Sequence, residues 1–276
     1  MSESIDVKAI EAGRGLGQKA FGLNIEPILD ATTSAEHPAE YNCANDKITL
    51  YSKGIEKAVG AGADASQAVT HAVAHEIGHA AEARLFAEDG LFPWKMYVTP
   101  SCFIPVEGGR LRANGYTSYF LGLANCMQDY AIDKLLGRYG IRDQIARMDL
   151  MRTTESLNSL HSSSLDKTGR IGLRLQTIIN IPLDVSHYTF GDITEDQRKQ
   201  IVELAEAFIG SKKWERGVDL IGSREFGDIK GYRNLVVTFL QEFVGVKTIF
   251  RKIRRQEFGS LPSFWTADTY EATILQ

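Results

Sequence analysis

The sequence predicts an α+β protein in which helices predominate. Three observations indicate this fold class. Residues 65–89 form a long, alanine-rich run without proline, residues 46–51 form a short alternating run of β-favouring residues, and helical periodicity returns in Glu195–Ile209 and over residues 232–258. The helical segments therefore outweigh the strands, and the expected sheet is small.

Length and composition suit a folded enzyme or binding protein of one or two lobes. The 276 residues, of which 43% are hydrophobic, can bury a sizeable core. A polar, serine-rich stretch follows residue 152 and is the expected seam. We therefore expect an N-terminal lobe over residues 1–152 and a mostly helical C-terminal lobe over residues 153–276, or one continuous domain.

The first long helix is predicted over residues 65–89. Asp64 and Gln67 form a capping box at its start, and Gly90 is a natural stop. The interior Gly78 lowers helix propensity but allows a neighbouring backbone to approach closely. This helix carries the pattern that is most informative about function.

That pattern is H-E-x-x-H at residues 75–79. On a helix, His75 and His79 lie on one face about 6 Å apart along the axis, so both can bind one zinc ion. Glu76 leans toward the same edge, where a carboxylate can take a proton from water activated by the metal. Glu82 lies too far along the helix to complete a tetrahedral site. His71 lies one turn earlier and is expected at the surface, because two metal histidines already occupy its face.

A second helix, predicted over residues 114–138, supplies a third ligand. Asp129 and Asp133 are four residues apart, so one face presents two carboxylates in adjacent turns. One can bind the metal while the other accepts the free N–H of a zinc histidine and fixes its tautomer. Without the histidines, such a pair would be expected on a solvated face. Three other residues remain alternatives for the third ligand: Gln128, Glu107 and Asp133.

Taken together, these motifs resemble the zincin metallopeptidases, most closely the gluzincin branch, whose active-site helix is followed by a helix bearing E-x-x-x-D. The resemblance covers residues 40–138 and implies a zincin-like N-terminal lobe with a small sheet. It implies that His75, His79 and Asp129 bind zinc, that Asp133 supports a zinc histidine, and that Glu76 is the general base and acid. Asp replaces Glu at residue 129, which shortens the ligand by one methylene and requires the two helices to approach more closely. Aspzincins also use Asp as third ligand, but their flanking residues do not match.

Two further features follow from the resemblance. Zincins have an edge strand before the active-site helix, to which an extended substrate adds by backbone hydrogen bonds, and residues 46–51 stand at that place. An ordinary hairpin strand is the alternative. Zincins also often use a His or Tyr to stabilise the oxyanion. Five residues are candidates for this role: His161, His187, Tyr188, Tyr116 and Tyr119.

Two other patterns favour ordinary structural roles. Residues 13–20 contain G-x-G-x-x-A, but a glycine-rich turn opening a short helix explains them better than a dinucleotide site does. A basic cluster over residues 247–255 is expected on the solvated side of an amphipathic helix. The net charge of −4 argues against a nucleic-acid partner.

The sequence therefore predicts a zinc-dependent metallopeptidase, a hydrolase that acts on a peptide or protein substrate. A non-catalytic zincin-fold binding or regulatory protein that retains the metal is the main alternative, and a helical protein with a chance motif is another. The intact Glu76 favours the enzyme. We expect no membrane partner and a cytoplasmic location, because no apolar run approaches 18 residues, no signal peptide is recognisable, and three cysteines at unrelated spacings suit a reducing compartment.

Overall fold

A computed structural model describes residues 6–33, 35, 37–43, 45–88, 104–106, 109–111, 127–148, 150–151, 154–155, 193–209, 211–244, 247–253 and 269–275. Within these ranges helices predominate and accompany a small three-stranded sheet, so the expected α+β class is confirmed. None of the described helices combines the length and the apolar character that crossing a bilayer requires.

The described elements follow one another in this order. The N-terminal part contains α1 (Val7–Phe21), β1 (Pro27–Asp30), β2 (Ala39–Asn42), β3 (Lys47–Tyr51), α2 (Ser52–Gly60) and α3 (Ala65–Glu88). The antiparallel pair β4 (Ile104–Val106) and β5 (Gly109–Leu111) comes next, then helix α4 over residues 127–138. The C-terminal part contains α5 (Glu195–Ile209), α6 (Ser211–Gly222), α7 (Ile229–Phe239), a π-helical turn (Leu240–Val244), β6 (Lys247–Ile253) and β7 (Thr269–Leu275).

The three-stranded sheet places β3 in its centre, with strand order β1-β3-β2. β3 is parallel to β1 and antiparallel to β2, with Ala39 opposite Leu50 and Tyr41 opposite Ile48. The expectation that residues 46–51 form the edge strand is therefore wrong. Ile48 and Leu50 are fully buried against α3, so the strand with the most buried residues takes the central position. The edge strand beside α3 is β2.

Helix α3 begins as the sequence predicts. The Asp64 carboxylate accepts a hydrogen bond of 2.9 Å from the backbone N–H of Gln67, which satisfies one of the unpaired donors of the first turn. The described helix runs from Ala65 to Glu88, and its predicted end at residue 89 lies outside the described residues. Alanine-rich sequence and close neighbours bury most of its length.

Helix α1 packs along α3 through glycines. A Cβ at Gly13 would lie 2.7 Å from the Thr70 carbonyl oxygen, and one at Gly17 would lie 2.6 Å from Ile77 Cδ1. The expected glycine-rich turn is therefore wrong, because residues 13–20 lie inside one continuous helix. These glycines let the two helix axes approach closely.

Gly78 has the same role on another side of α3. A Cβ there would lie 2.7 Å from Ile132 Cγ2 of α4 and 2.9 Å from Phe21 Cζ of α1. The close approach expected at Gly78 is present, although side chains rather than a backbone fill the space. Helix α4 ends at residue 138 as predicted, while its predicted start lies outside the described residues.

The C-terminal part confirms one predicted helix and corrects another. α5 begins at Glu195 after a reciprocal cap, in which the Gln197 N–H donates to Thr194 Oγ1 (3.2 Å) and the Thr194 N–H donates to Gln197 Oε1 (2.8 Å). The helix predicted over residues 232–258 is wrong at Lys247–Ile253, which form strand β6. β6 pairs there with β7 over seven residues, since the β-branched and aromatic side chains of both segments favour strands over a continued helix. The basic cluster therefore begins on a strand.

Three ion pairs connect the C-terminal part to helices α3 and α4. Arg224 pairs with Glu82 of α3, and both side chains are fully buried. Lys134 and Arg138 of α4 both contact the Glu225 carboxylate, with Arg138 Nη2 at 3.0 Å from Glu225 Oε2. These contacts cross the seam expected after residue 152.

Candidate metal centre

Two neighbouring helices bring the predicted site residues together. α3 presents His71, His75 and His79 at successive turns, and α4 presents Asp129 and Asp133 at successive turns. Because i and i+4 residues lie above one another on a helix, the imidazoles form one column and the carboxylates form another. The two columns face each other across the α3–α4 contact at Gly78.

Three donor atoms converge at the open end of this contact. His75 Nε2 lies 3.1 Å from His79 Nε2. Asp129 Oδ1 lies 2.8 Å from His79 Nε2 and 3.5 Å from His75 Nε2. The side chain of Asp129 is 21% exposed as a whole, but its Oδ1 is buried, so the triangle is enclosed beneath a partly exposed side chain.

The size of this triangle suits a tetrahedral zinc ion. With metal–ligand distances of about 2.0–2.1 Å, neighbouring ligand atoms of a tetrahedron are about 3.3–3.4 Å apart. The three observed separations, 2.8, 3.1 and 3.5 Å, bracket that value. Two imidazole nitrogens and one carboxylate oxygen also form a donor set that zinc accepts. The residues present therefore fit the metal that the motif implies.

Asp133 holds the opposite side of the His75 ring. His75 Nδ1 lies 2.8 Å from Asp133 Oδ1, and both side chains are buried. Because a carboxylate accepts hydrogen bonds, Nδ1 carries a proton, and Nε2 on the Asp129 side is the nitrogen that a metal would bind. This is the relation expected of a carboxylate that supports a metal histidine.

Electrostatics couple the two columns. Burial lowers the pKa of His75, but the carboxylates of Asp133 and Asp129 outweigh it and raise that pKa well above its usual value. Burial acts to raise the pKa of Asp129, but hydrogen bonds from His75 and His79 outweigh it and lower that pKa. In the metal-free protein, imidazole and carboxylate therefore stabilise each other's charged forms.

Glu76 lies next to the donor triangle and contacts the edge strand. The Tyr41 backbone N–H donates to Glu76 Oε2 at 2.6 Å. The ligand atoms of His75, Glu76 and His79 lie close enough to one another for the three side chains to share a metal ion. Tyr41 is itself held by Asp46, whose carboxylate accepts from the Tyr41 hydroxyl (2.8 Å) and pairs with Arg84 of α3 (2.7 Å). The carboxylate of Glu76 is thus fixed between the imidazoles and β2.

One expectation about α3 is wrong. His71 is 1% exposed rather than at the surface, because α4 and the segment after it cover that turn of α3. Glu82, which was not expected to complete the site, forms a buried ion pair with Arg224. For His71 the spacing itself was the missed signal, since a third histidine at i−4 continues the column of His75 and His79.

Several other predicted residues lie outside the described part of the chain. These are the alternative third ligand and the oxyanion candidates: Glu107, Tyr116, Tyr119, His161, His187 and Tyr188. Two residues that sequence reasoning did not single out enter the site through the fold. Tyr41 fixes Glu76 by its backbone, and Asp143 Oδ1 lies 3.7 Å from His71 Nδ1.

Comparison with protein-family models, with curated proteins and with solved structures finds no match for this chain.

Proposed function

We propose that this chain is a zinc-dependent metallopeptidase that resembles the gluzincin branch of the zincins. The observation that carries the proposal is the convergence of His75 Nε2, His79 Nε2 and Asp129 Oδ1 within 3.5 Å, beside the Glu76 carboxylate. Three protein ligands leave one tetrahedral position for water or substrate, which is the composition of catalytic rather than structural zinc sites. An intact carboxylate next to such a site favours hydrolysis over a purely structural role.

Zinc, when bound, supplies Lewis acidity that acidifies water and polarises a carbonyl group. His75 and His79 present neutral nitrogens, and Asp129 supplies the negative charge of the ligand set. Glu76 accepts the proton of the attacking water and returns it to the leaving amine. Its bond to the Tyr41 backbone N–H holds the carboxylate in position for both transfers.

Strand β2 supports a peptide substrate. In an antiparallel pair, backbone groups point alternately toward the partner strand and away from it. The Tyr41 N–H is directed at Glu76 rather than at β3, so Ala39 and Tyr41 are the residues whose backbone groups face away from β3. An extended peptide added to this edge would bond to the Tyr41 C=O and run past Glu76, because the Tyr41 N–H already donates to Glu76 and Ala39 is buried. Backbone pairing of this kind favours peptide substrates over small esters.

The test is hydrolysis by a Glu76→Gln variant. We expect wild-type protein, purified without a histidine tag, to contain about one zinc per chain and to cleave casein or members of a peptide library. Glu76→Gln should retain the zinc and lose at least about 100-fold in rate, because only the proton acceptor is removed. Glu56→Gln, at an exposed position of α2, is the matched control and should cleave normally.

Three outcomes separate the alternatives. Cleavage that stops with a chelator and returns with zinc supports the peptidase. Bound zinc without cleavage of any library peptide favours the non-catalytic binding protein. Full activity of Glu76→Gln on a substrate that the wild type cleaves contradicts the mechanism.

A further inference from the structure

Among the residues that the structure describes, His71 is the buried histidine that the proposed reaction does not use. It lies one turn before His75 on α3 and is 1% exposed. Its Nε2 lies 2.8 Å from Asp133 Oδ1, and its Nδ1 faces Asp143 Oδ1 at 3.7 Å. A buried imidazole without a polar partner would be costly, so the carboxylate of Asp133 explains how His71 is tolerated there. It does not explain what His71 contributes.

One oxygen atom serves two histidines. Asp133 Oδ1 lies 2.8 Å from His71 Nε2 and also 2.8 Å from His75 Nδ1. As a carboxylate oxygen it accepts from both, so each facing ring nitrogen carries a proton. Two donors from consecutive turns of α3 fix the place of this oxygen against the helix, since moving it toward either ring lengthens the other bond.

We propose that His71 is a positioning residue for the metal centre: it holds Asp133 Oδ1 in place, and Asp133 thereby keeps the proton of His75 on Nδ1 and the lone pair of Nε2 directed at the metal. The inference rests on the proposed zinc site and adds a residue to it. Outer carboxylates of this kind set both the orientation and the basicity of a metal histidine. His71 acts on the metal only through Asp133.

The same atoms do not form a second metal site. His71, His75 and Asp133 have donor atoms close enough to share an ion. However, a neutral imidazole has one lone pair, and His75 uses it at Nε2 when it binds the ion shared with His79 and Asp129. Its Nδ1 then carries a proton and donates to Asp133. Two hydrogen bonds of 2.8 Å satisfy these atoms without an additional cation.

The experiment compares two amides at position 71. A Gln side chain places its amide nitrogen near the position of the histidine Nε2 and can donate to Asp133, whereas Asn, one methylene shorter, cannot reach it. We expect His71→Gln to bind zinc within about threefold of wild type and His71→Asn to bind roughly tenfold more weakly. The apparent zinc Kd is measured by competition with a chromophoric chelator, and cobalt substitution reports ligand geometry by its absorption spectrum.

Two controls separate positioning from general stability. Ile201→Ala removes buried side-chain atoms in α5 and should lower the thermal midpoint without changing the zinc Kd. In an Asp133→Asn background, exchanging His71 for Asn should change the zinc Kd much less than it does in wild type, because the path to His75 is already interrupted.

Each result decides the inference. Retained affinity in His71→Gln, weakened affinity in His71→Asn and loss of the difference in the Asp133→Asn background support it. A His71→Gln variant that fails to fold, or that binds zinc no better than His71→Asn, overturns it while leaving the proposed peptidase intact. Wild-type protein that binds no zinc overturns the proposed function together with the inference.

Discussion

A methyl group added at Gly78 should weaken both the fold and the metal site, because this residue sets the distance between the two ligand helices. It lies between His75 and His79 on α3, and its missing Cβ leaves room for Ile132 of α4. Ile132 stands next to Asp133 and three residues after Asp129. Any movement of Ile132 that carries the backbone of α4 therefore moves both carboxylates.

The magnitude follows from the contact distances. A Cβ in Gly78→Ala would meet Ile132 Cγ2 at 2.7 Å, whereas carbon atoms rest at about 3.5–4.0 Å, so the shortfall is about 1 Å. Overpacking of this kind costs about 1–3 kcal/mol, against a gain of about 1 kcal/mol in helix propensity. We expect a net loss of about 1 kcal/mol. Zinc sites tolerate about 0.2 Å in ligand distance, so we also expect at least tenfold weaker zinc binding.

Gly15→Ala in α1 is the matched control. Gly15 is exposed and helical, and a Cβ there would meet nothing within 4 Å, so this variant should be stabilised by up to about 1 kcal/mol with zinc affinity unchanged. Thermal unfolding of the metal-free proteins and chelator competition measure the two quantities. If Gly78→Ala matched Gly15→Ala in both stability and zinc affinity, the close approach of α3 and α4 would not be what holds the ligands together.

Three further predictions concern the ligands and the buried ion pair. Asp129→Ala should lower the zinc content from about one per chain to near zero by elemental analysis, and full zinc content would remove Asp129 from the ligand set. Burial lowers the pKa of His75, but the carboxylates raise it well above the usual 6.5, so zinc must displace a proton at neutral pH. Its apparent affinity should therefore rise about tenfold per pH unit until that pKa is passed, and calorimetry in two buffers of different ionisation enthalpy should detect the released proton. Arg224→Met should lower the free energy of unfolding by about 3–5 kcal/mol in denaturant titrations, because it removes the positive charge that faces the buried Glu82 carboxylate, and adding Glu82→Leu should recover most of that loss.

Local signals explain which parts of the fold could be predicted from the sequence. The start of α3 depends on Asp64 and its neighbours, and the α5 cap depends on Thr194 and Gln197, so short sequence patterns identify both. The position of Asp129 and Asp133 on one face of α4 follows from their i,i+4 spacing, which is an equally local signal. These features need no knowledge of how distant segments pack.

The errors share a different cause, which is dependence on partners distant in sequence. Whether β3 lies at the edge depends on β1, a strand that the alternation over residues 46–51 does not reveal. The strand at Lys247–Ile253 depends in the same way on Thr269–Leu275. His71 was expected at the surface because its burial depends on residues 62 and 72 positions later, Asp133 and Asp143. Sequence periodicity describes one element at a time and cannot supply such partners.

Protons and a metal ion compete for the same three atoms of this site. The separations between His75 Nε2, His79 Nε2 and Asp129 Oδ1 include two of hydrogen-bond length, 3.1 and 2.8 Å, so protons can join the ligands to one another in place of the ion. Acid should therefore release zinc and leave a metal-free site in which the three ligand side chains hydrogen-bond to one another.

The pKa shifts define where that metal-free state is most stable. The folded pKa of His75 is raised, so its contribution to stability is complete below the usual 6.5 and is lost as pH rises through the folded value. The folded pKa of Asp129 is lowered, so its contribution is complete above the usual 3.8 and is lost as pH falls through the folded value. Between pH 3.8 and pH 6.5, charged His75 and Asp129 stabilise the fold without metal. Above the folded pKa of His75, its imidazole loses the proton, and zinc must replace that positive charge. Zinc release at mildly acidic pH should accordingly leave the protein folded, while zinc removal at alkaline pH should destabilise it.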